Sequence, residues 1–434
     1  MDRIRIGATG LAMSLSFTGA ALGQAAFKAA FVANNGNLEG SVTTYRVNDD
    51  GTLTWIAKHI TGERPNTQVF HPGTNANAIS LSPNGRYVLT AHSTSSQTVE
   101  QVTFLRVHAD GTLTPALIAS VPDSPLDVQW IDNEYFAVTK TSTSTTNQVL
   151  VYRFDATAPA IFFVDAENTG TFSSSLALHP NRTLLFTQDS NSSRVSSFSV
   201  APNGHLTLVS EMGPGIFPLG LGVSADGKRI YFGGGISSGG NKVGALSISP
   251  TGVLDFVPGA PFISPGASPK QVVTSADSKI AIAAHGTDST LRSFFIDSDT
   301  GALTSTGFMY DIGFQGSLGD VAVLGDWLLA PDRDTISDGV RGLRSLTIGV
   351  DGSLTPNGDI VDSQGITPNA VAPWANCPAD LDGDGRVDFV DLNRLLGQYN
   401  QSAAPGVLFG DLNFDGVVDF GDLNILLGVY NLDC

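Results

Sequence analysis

A phrase that returns at steps of 46 to 60 residues constrains this 434-residue chain more than any other feature. It consists of a short alternating run, a tight turn and then Leu-Thr or a close relative. The first copy reads Val42-Thr-Thr-Tyr-Arg-Val47 and Asp50-Gly-Thr-Leu-Thr54; the second reads Val102-Thr-Phe-Leu-Arg-Val107 and Asp110-Gly-Thr-Leu-Thr114. The turns fall at Gly51, Gly111, Ala158, Gly204, Gly252, Gly301 and Gly352, with Ala standing for Gly in the third copy. Asp-Gly or Asn-Gly between alternating runs marks a hairpin, because the turn needs positive φ. Seven such copies, each holding several short strands, predict an all-β, seven-bladed β-propeller.

The second copy resolves into four strands, at 77–82, 86–92, 102–107 and 113–121. The first copy lacks its leading strand, since 27–34 matches a second strand. The missing piece lies far downstream at 366–374, which matches a first strand and then stops. Pairing it with the N-terminal strands would close the ring and leave no free blade edge. The 48 Gly and 22 Pro suit a turn-rich β chain. A net charge of −18 with no block of Lys and Arg makes phosphate backbones and anionic lipid surfaces poor candidate partners.

Residues 1–23 read as a secretory signal peptide: Arg3 and Arg5, an apolar small-residue run over 7–22, and Ala21-Leu22-Gly23 for cleavage. No other apolar stretch reaches the roughly 18 residues of a membrane span. The expected order is therefore a signal at 1–23, a propeller over 24–376 and a small module over 377–434, in a secreted, extracellular or cell-surface protein. Cys377 and Cys434 are the two cysteines and bracket that module, which in an exported chain reads as a disulfide.

The module holds ten Asp and two Arg, and its acid is patterned. Asp380, Asp382, Asp384, Asp388 and Asp391 occupy positions 1, 3, 5, 9 and 12 of a loop, with Gly385 at position 6. Asp411, Asn413, Asp415, Asp419 and Asp422 repeat the pattern 31 residues later, with Gly416 at position 6. Arg386 and Val417 at position 7 would add backbone carbonyls. Calcium wants about six to eight hard oxygens, and this spacing wraps them round one ion, so two Ca2+ are expected. Each loop runs into a helix, expected over 391–400 and 422–431, with Leu392, Leu395, Leu396 and Tyr399 on one face and Leu423, Leu426, Leu427 and Tyr430 on the other. Duplicated loop-helix halves with Asp at position 12 resemble a type I dockerin. That resemblance implies docking to a cohesin-like protein or cell-surface scaffold, read through Phe389-Val390 and Phe420-Gly421.

The order of a Pro, an apolar strand, Ser82-Pro-Asn-Gly85, an aromatic strand and then Asp-Gly-x-Leu-Thr resembles the seven-bladed lactonase family of the 6-phosphogluconolactonase type, over 27–374. The resemblance implies a carbohydrate or lactone ligand at the propeller mouth. Where that family carries Pro-His-x-His and Asp-Leu-Gly, this chain has Thr74-Asn-Ala-Asn77 and Ala91-His-Ser-Thr94. Mouth positions at strand-two ends are Asn34, His92, Lys140, Asp189, Gly234, His285 and Asp332. Those at strand-one starts are Asp127, Ser174, Lys270, Gln271, Asp320 and Asn369. Among them His92, His285, Asp127, Lys270 and Asp320 are the catalytic candidates, set against the plainer reading that polar residues hold blade-end turns. His71 and His179, in His-Pro turns, read as turn residues. The missing imidazoles favour an exported binding or display protein attached through its calcium module. The alternative is a secreted hydrolase, lactonase-like or carbohydrate-active, recruited to a polysaccharide-degrading assembly.

Overall fold

The computed structural model describes residues 27–36, 39–62, 75–92, 100–141, 146–235, 240–313, 318–333, 341–381, 386–403, 408, 410–413 and 415–432. The expected signal segment at 1–23, His71, Asp382, Asp384 and Cys434 lie outside these.

Seven antiparallel sheets of four principal strands form the molecule. The second blade is typical, with Ala76–Leu81 innermost, followed by Tyr87–His92, Gln101–Val107 and Leu113–Ser120. The innermost strands of neighbouring blades touch round a full circle. The first blade takes its inner strand, Pro368–Trp374, from the far end of the propeller; it pairs with Ala29–Asn35, which pairs with Gly40–Val47 and then Leu53–Ile60. Ring closure is therefore as the sequence predicts.

Each gap between blades holds its own apolar cluster, because both faces of every sheet are covered. Between the second and third blades Phe104 stacks on Phe154 at 4.3 Å, with Trp130 and Phe136 against their edges. The repeated turns work as the phrase demands: Gly51 and Gly111 both sit at φ 80°. In the third copy Asp155 instead accepts from the amides of Thr157 and Ala158, and Ala158 does without positive φ.

Two short helices follow, Phe389–Gly397 and Phe420–Gly428. They start two residues earlier and end three residues earlier than the apolar spacing predicts. Asp388 and Asp419 are their N-caps, and Asp391 and Asp422 complete capping boxes by accepting from the cap amides. Asn400 and Asn431, at φ 64° and 63°, lie beyond the helix ends. Leu395 and Leu426 are buried as predicted, whereas Leu396 and Leu427 are about half exposed, at 47% and 49%. The module's core comes from the loops as well, through Leu381, Val387, Leu412 and Val418. Val387 and Val418 each exchange backbone hydrogen bonds with the chain leaving the opposite helix, which ties the two halves into one unit.

This unit rests on the turn that joins the first two strands of the second blade. Gly85 there has φ 66°, and a Cβ on it would meet the Trp374 ring at 2.7 Å, so closing strand and turn are in contact. Beside it Arg86 is 2% exposed; its Nη2 donates to the Asp411 carbonyl at 2.7 Å and its Nη1 to the Leu408 carbonyl. Asn133 Nδ2, from the matching turn of the third blade, donates to the Leu381 carbonyl at 3.0 Å. Burial pulls the Arg86 guanidinium down to about 10, against the support of Asp411 and Asp422.

Candidate functional site

The opposite end of the propeller is about 20 Å away, the length of one six-residue inner strand. There the inner strands begin, and five of them begin with a bulge. The skipped residues are Asn77, Ser174, Gly220, Lys270 and Asn369, each left out of the register with strand two. An unpaired bulge residue is released from the pleat and re-aims its side chain. All five line one cavity of about 220 Å³ at the head of the central channel, and Asp127 and Asp320 line it too.

The cavity wall is polar. Asn35 Nδ2 donates to Asn77 Oδ1 at 2.9 Å, Asn77 Nδ2 to the Leu126 carbonyl at 2.7 Å, and Asn369 Nδ2 to the Asn77 carbonyl at 2.6 Å. These bonds tie the first, second and third blades across the mouth. Lys270 Nζ lies 3.2 Å from Asp320 Oδ1, both side chains about one-third exposed. Asp127 accepts from its neighbour's amide, Val128 N, at 2.8 Å and from Leu176 N of the fourth blade at 2.7 Å. Its surface stays partly open, but its depth in the channel pushes the carboxyl up to about 7; the two amide bonds oppose that shift and Asp320 adds to it. A carboxyl poised near neutrality that shares a cavity with a lysine is an arrangement suited to proton transfer.

The structure thus brings Asp127, Lys270 and Asp320 together and places the two histidines elsewhere. His92 is fully buried within its blade, its Nε2 2.8 Å from Thr90 Oγ1. His285 is equally buried: Nδ1 donates to the Thr290 carbonyl at 3.2 Å, so Nε2 accepts from Ser264 Oγ at 2.9 Å. Burial holds its pKa below the ordinary imidazole value. Ser264 is buried as well, which makes this a locked loop with no access for a substrate. Asn34, Asp189 and Asp332 are likewise interior; Asp332 pairs with Arg344 at 3.1 Å and Asp189 with Arg194 at 3.3 Å. Gln271 turns its amide to the Leu221 carbonyl at 3.1 Å. His179 sits in its turn as read, its Nε2 2.9 Å from the Gly227 carbonyl.

Sequence reading missed Asn35 and Arg333, which line the cavity. Each stands one position past a strand-two end that was singled out, and alternation sends neighbours to opposite sides.

In the second calcium-type loop Asp411 is fully buried and accepts from the amides of Asp415 and Gly416, both at 3.1 Å. Asp422 Oδ1 accepts from Leu412 and Asn413 at 2.7 and 3.0 Å. These are hard oxygen donors folded into one turn, the chemistry that calcium takes. Among the described residues no three His, Cys, Asp or Glu side chains converge on one point. No free cysteine occurs among them.

A closed seven-bladed propeller with a polar cavity at one mouth defines the class. Solved structures of that class resemble this chain along most of its length. A periplasmic gluconolactonase of Pseudomonas aeruginosa superposes with a TM-score of 0.63 at 20% identity, over 81% of this chain and 99% of its own. A 6-phosphogluconolactonase candidate of Bacteroides fragilis gives 0.64 at 17% identity, over 80% and 98%. One from Bacteroides uniformis gives 0.61 at 18%, over 80% and 100%. Identities this low establish the shared fold. No family model matches the sequence, and no curated protein matches it.

Proposed function

We propose that the protein is an exported hydrolase that opens sugar lactones in the mouth cavity and is carried to its site of action by the C-terminal module. The observation that carries this reading is the meeting of Asp127, Lys270 and Asp320 in one cavity. The similarity of fold to proteins described as lactonases supports it, and moves the weight from a display protein to an enzyme. Asp127 as carboxylate would take a proton from water attacking the lactone carbonyl. Lys270, held by Asp320, would face the negative charge that grows on the carbonyl oxygen.

The module, over 377–434, would bind two Ca2+ through the loops beginning at Asp380 and Asp411, with a Cys377–Cys434 disulfide closing it. Bound calcium would neutralise carboxylates that share one turn. Phe389 and Phe420 open the two helices and are each 63% exposed, which suits them to a cohesin-type partner once the module's other side rests on the propeller. A pH-stat assay of the full chain against a panel of sugar lactones tests the activity. Turnover well above spontaneous opening is the expected result, rising with pH through about 7 as Asp127 loses its proton. No turnover across the panel removes the hydrolase reading and returns the display protein.

A further inference from the structure

Two cations line the mouth cavity, and they are in different states. Lys270 is already paired with Asp320. Arg333, one residue past the strand Trp327–Asp332, feels the charge of that same Asp320 but makes no hydrogen bond or ion pair within 4 Å with any described residue, and its Nε is buried without a partner. Asn35 Oδ1 in the same wall is a buried acceptor with no donor. A guanidinium left unpaired in a polar cavity is costly unless an anion arrives.

The charges say what kind of anion. Arg333 and Lys270 bring two positive charges and Asp320 one negative; Asp127 adds a second negative charge only when deprotonated. Among the described lining residues the surplus is therefore at most one positive charge, which a single carboxylate neutralises and a dianionic phosphate exceeds. The planar fork of an arginine matches a carboxylate in two parallel hydrogen bonds. Asn35 Oδ1 can accept from a hydroxyl.

We propose that the mouth cavity recognises a polyhydroxylated ligand bearing one carboxylate, with Arg333 as the residue that binds that carboxylate. This deepens the lactone reading and rests on it for turnover: the substrate is a sugar lactone with a free carboxylate, such as the monolactone of a hexaric acid. Water adds to its acyl carbon, the ring acyl C–O bond breaks, the ring oxygen leaves as a hydroxyl, and one proton is released. The product is a dicarboxylate. Its second charge exceeds what the cavity balances, which favours its departure.

The test is titration calorimetry of the full chain with gluconate, glucose and glucose 6-phosphate, together with turnover of glucaro-1,4-lactone and glucono-1,5-lactone. Gluconate should bind at least about tenfold more tightly than either competitor, a difference that one good charge-assisted pair provides. Arg333→Gln should abolish that preference and Arg333→Lys should restore part of it. Equal binding of gluconate and glucose, tighter binding of glucose 6-phosphate, or no binding at all overturns the proposal, even where lactones are turned over. A gluconate preference that depends on Arg333, without lactone turnover, keeps the recognition and removes the hydrolase. Should Arg333→Gln fail to fold, the wild type decides: raising salt from about 50 to about 500 mM must weaken gluconate and spare glucose. Equal effects on both overturn it.

Discussion

Arg86 and Arg333 stand at opposite ends of the same propeller and are opposites in use. Arg86 is enclosed, and two of its nitrogens donate to backbone carbonyls of the C-terminal module. Arg333 lines a cavity with its donors unengaged by any described residue. A buried cation whose terminal nitrogens both bond to backbone carbonyls is part of the architecture, whereas one whose terminal nitrogens bond to no described residue, where a ligand can reach, is part of a site. The same contrast separates His285, locked between Ser264 and the Thr290 carbonyl, from Asp127, open to the cavity.

Asp127→Asn should sharpen that contrast most. Loss of the base should lower kcat on a lactone by about 10²- to 10⁴-fold and flatten the rise of rate through pH 7, measured by pH-stat. The stability of the wild type should carry a matching slope. The folded carboxyl titrates near 7 and the unfolded one near about 3.9, so the bound proton stabilises the fold fully below the unfolded value. That contribution is lost as pH rises through about 7, and the Asn variant should lack this loss in calorimetric scans. A variant with unchanged rate would place Asp127 among the structural groups, bridging the third and fourth blades and nothing more.

Arg86→Met comes next. It strands two carbonyls beneath the module and should destabilise the module's contact by about 3 kcal/mol, seen as an earlier, separate melting step with the lactone rate retained. A single unshifted transition would mean that the two ends do not differ as described. His285→Ala should cost about 2 kcal/mol through the orphaned Ser264 hydroxyl and the space left behind. The pH dependence of the rate should not move; a changed profile would bring the imidazole back into the chemistry. Asn133→Ala removes one neutral hydrogen bond to Leu381 and should cost about 1 kcal/mol in the same melting step.

Most of the ring was legible because its turns need residues of one kind. Gly51 and Gly111 announce hairpins, and only the period reveals the third copy, where Asp155 replaces the glycine device. The inner-strand positions Lys270, Ser174 and Asn369, read from the sequence as mouth residues, line one cavity. Their reason for being there, a recurring bulge, is a matter of register that composition does not show. His92 and His285 were misleading because each is buried at the end of its strand and hydrogen-bonded there, while Asn35 and Arg333, one step past the predicted positions Asn34 and Asp332, line the cavity. Arg333 was legible to that extent, as a cation one step beyond Asp332. In the module, the aspartates at position 9 were read as metal oxygens, and their second role as helix caps moved both helices toward the N-terminus.

The strand Pro368–Trp374 has one more consequence, for the order of events in the life of the chain. Asn369, which lines the cavity, and Trp374, which rests against the turn carrying Arg86, belong to the same seven residues. Neither the cavity wall nor the seat of the module is complete until that segment has emerged and slotted beside Ala29–Asn35. A half-made chain therefore carries neither a finished cavity nor a finished seat for the module. Both are completed in the same act of closure, so a chain whose module is seated is already one whose cavity wall is whole.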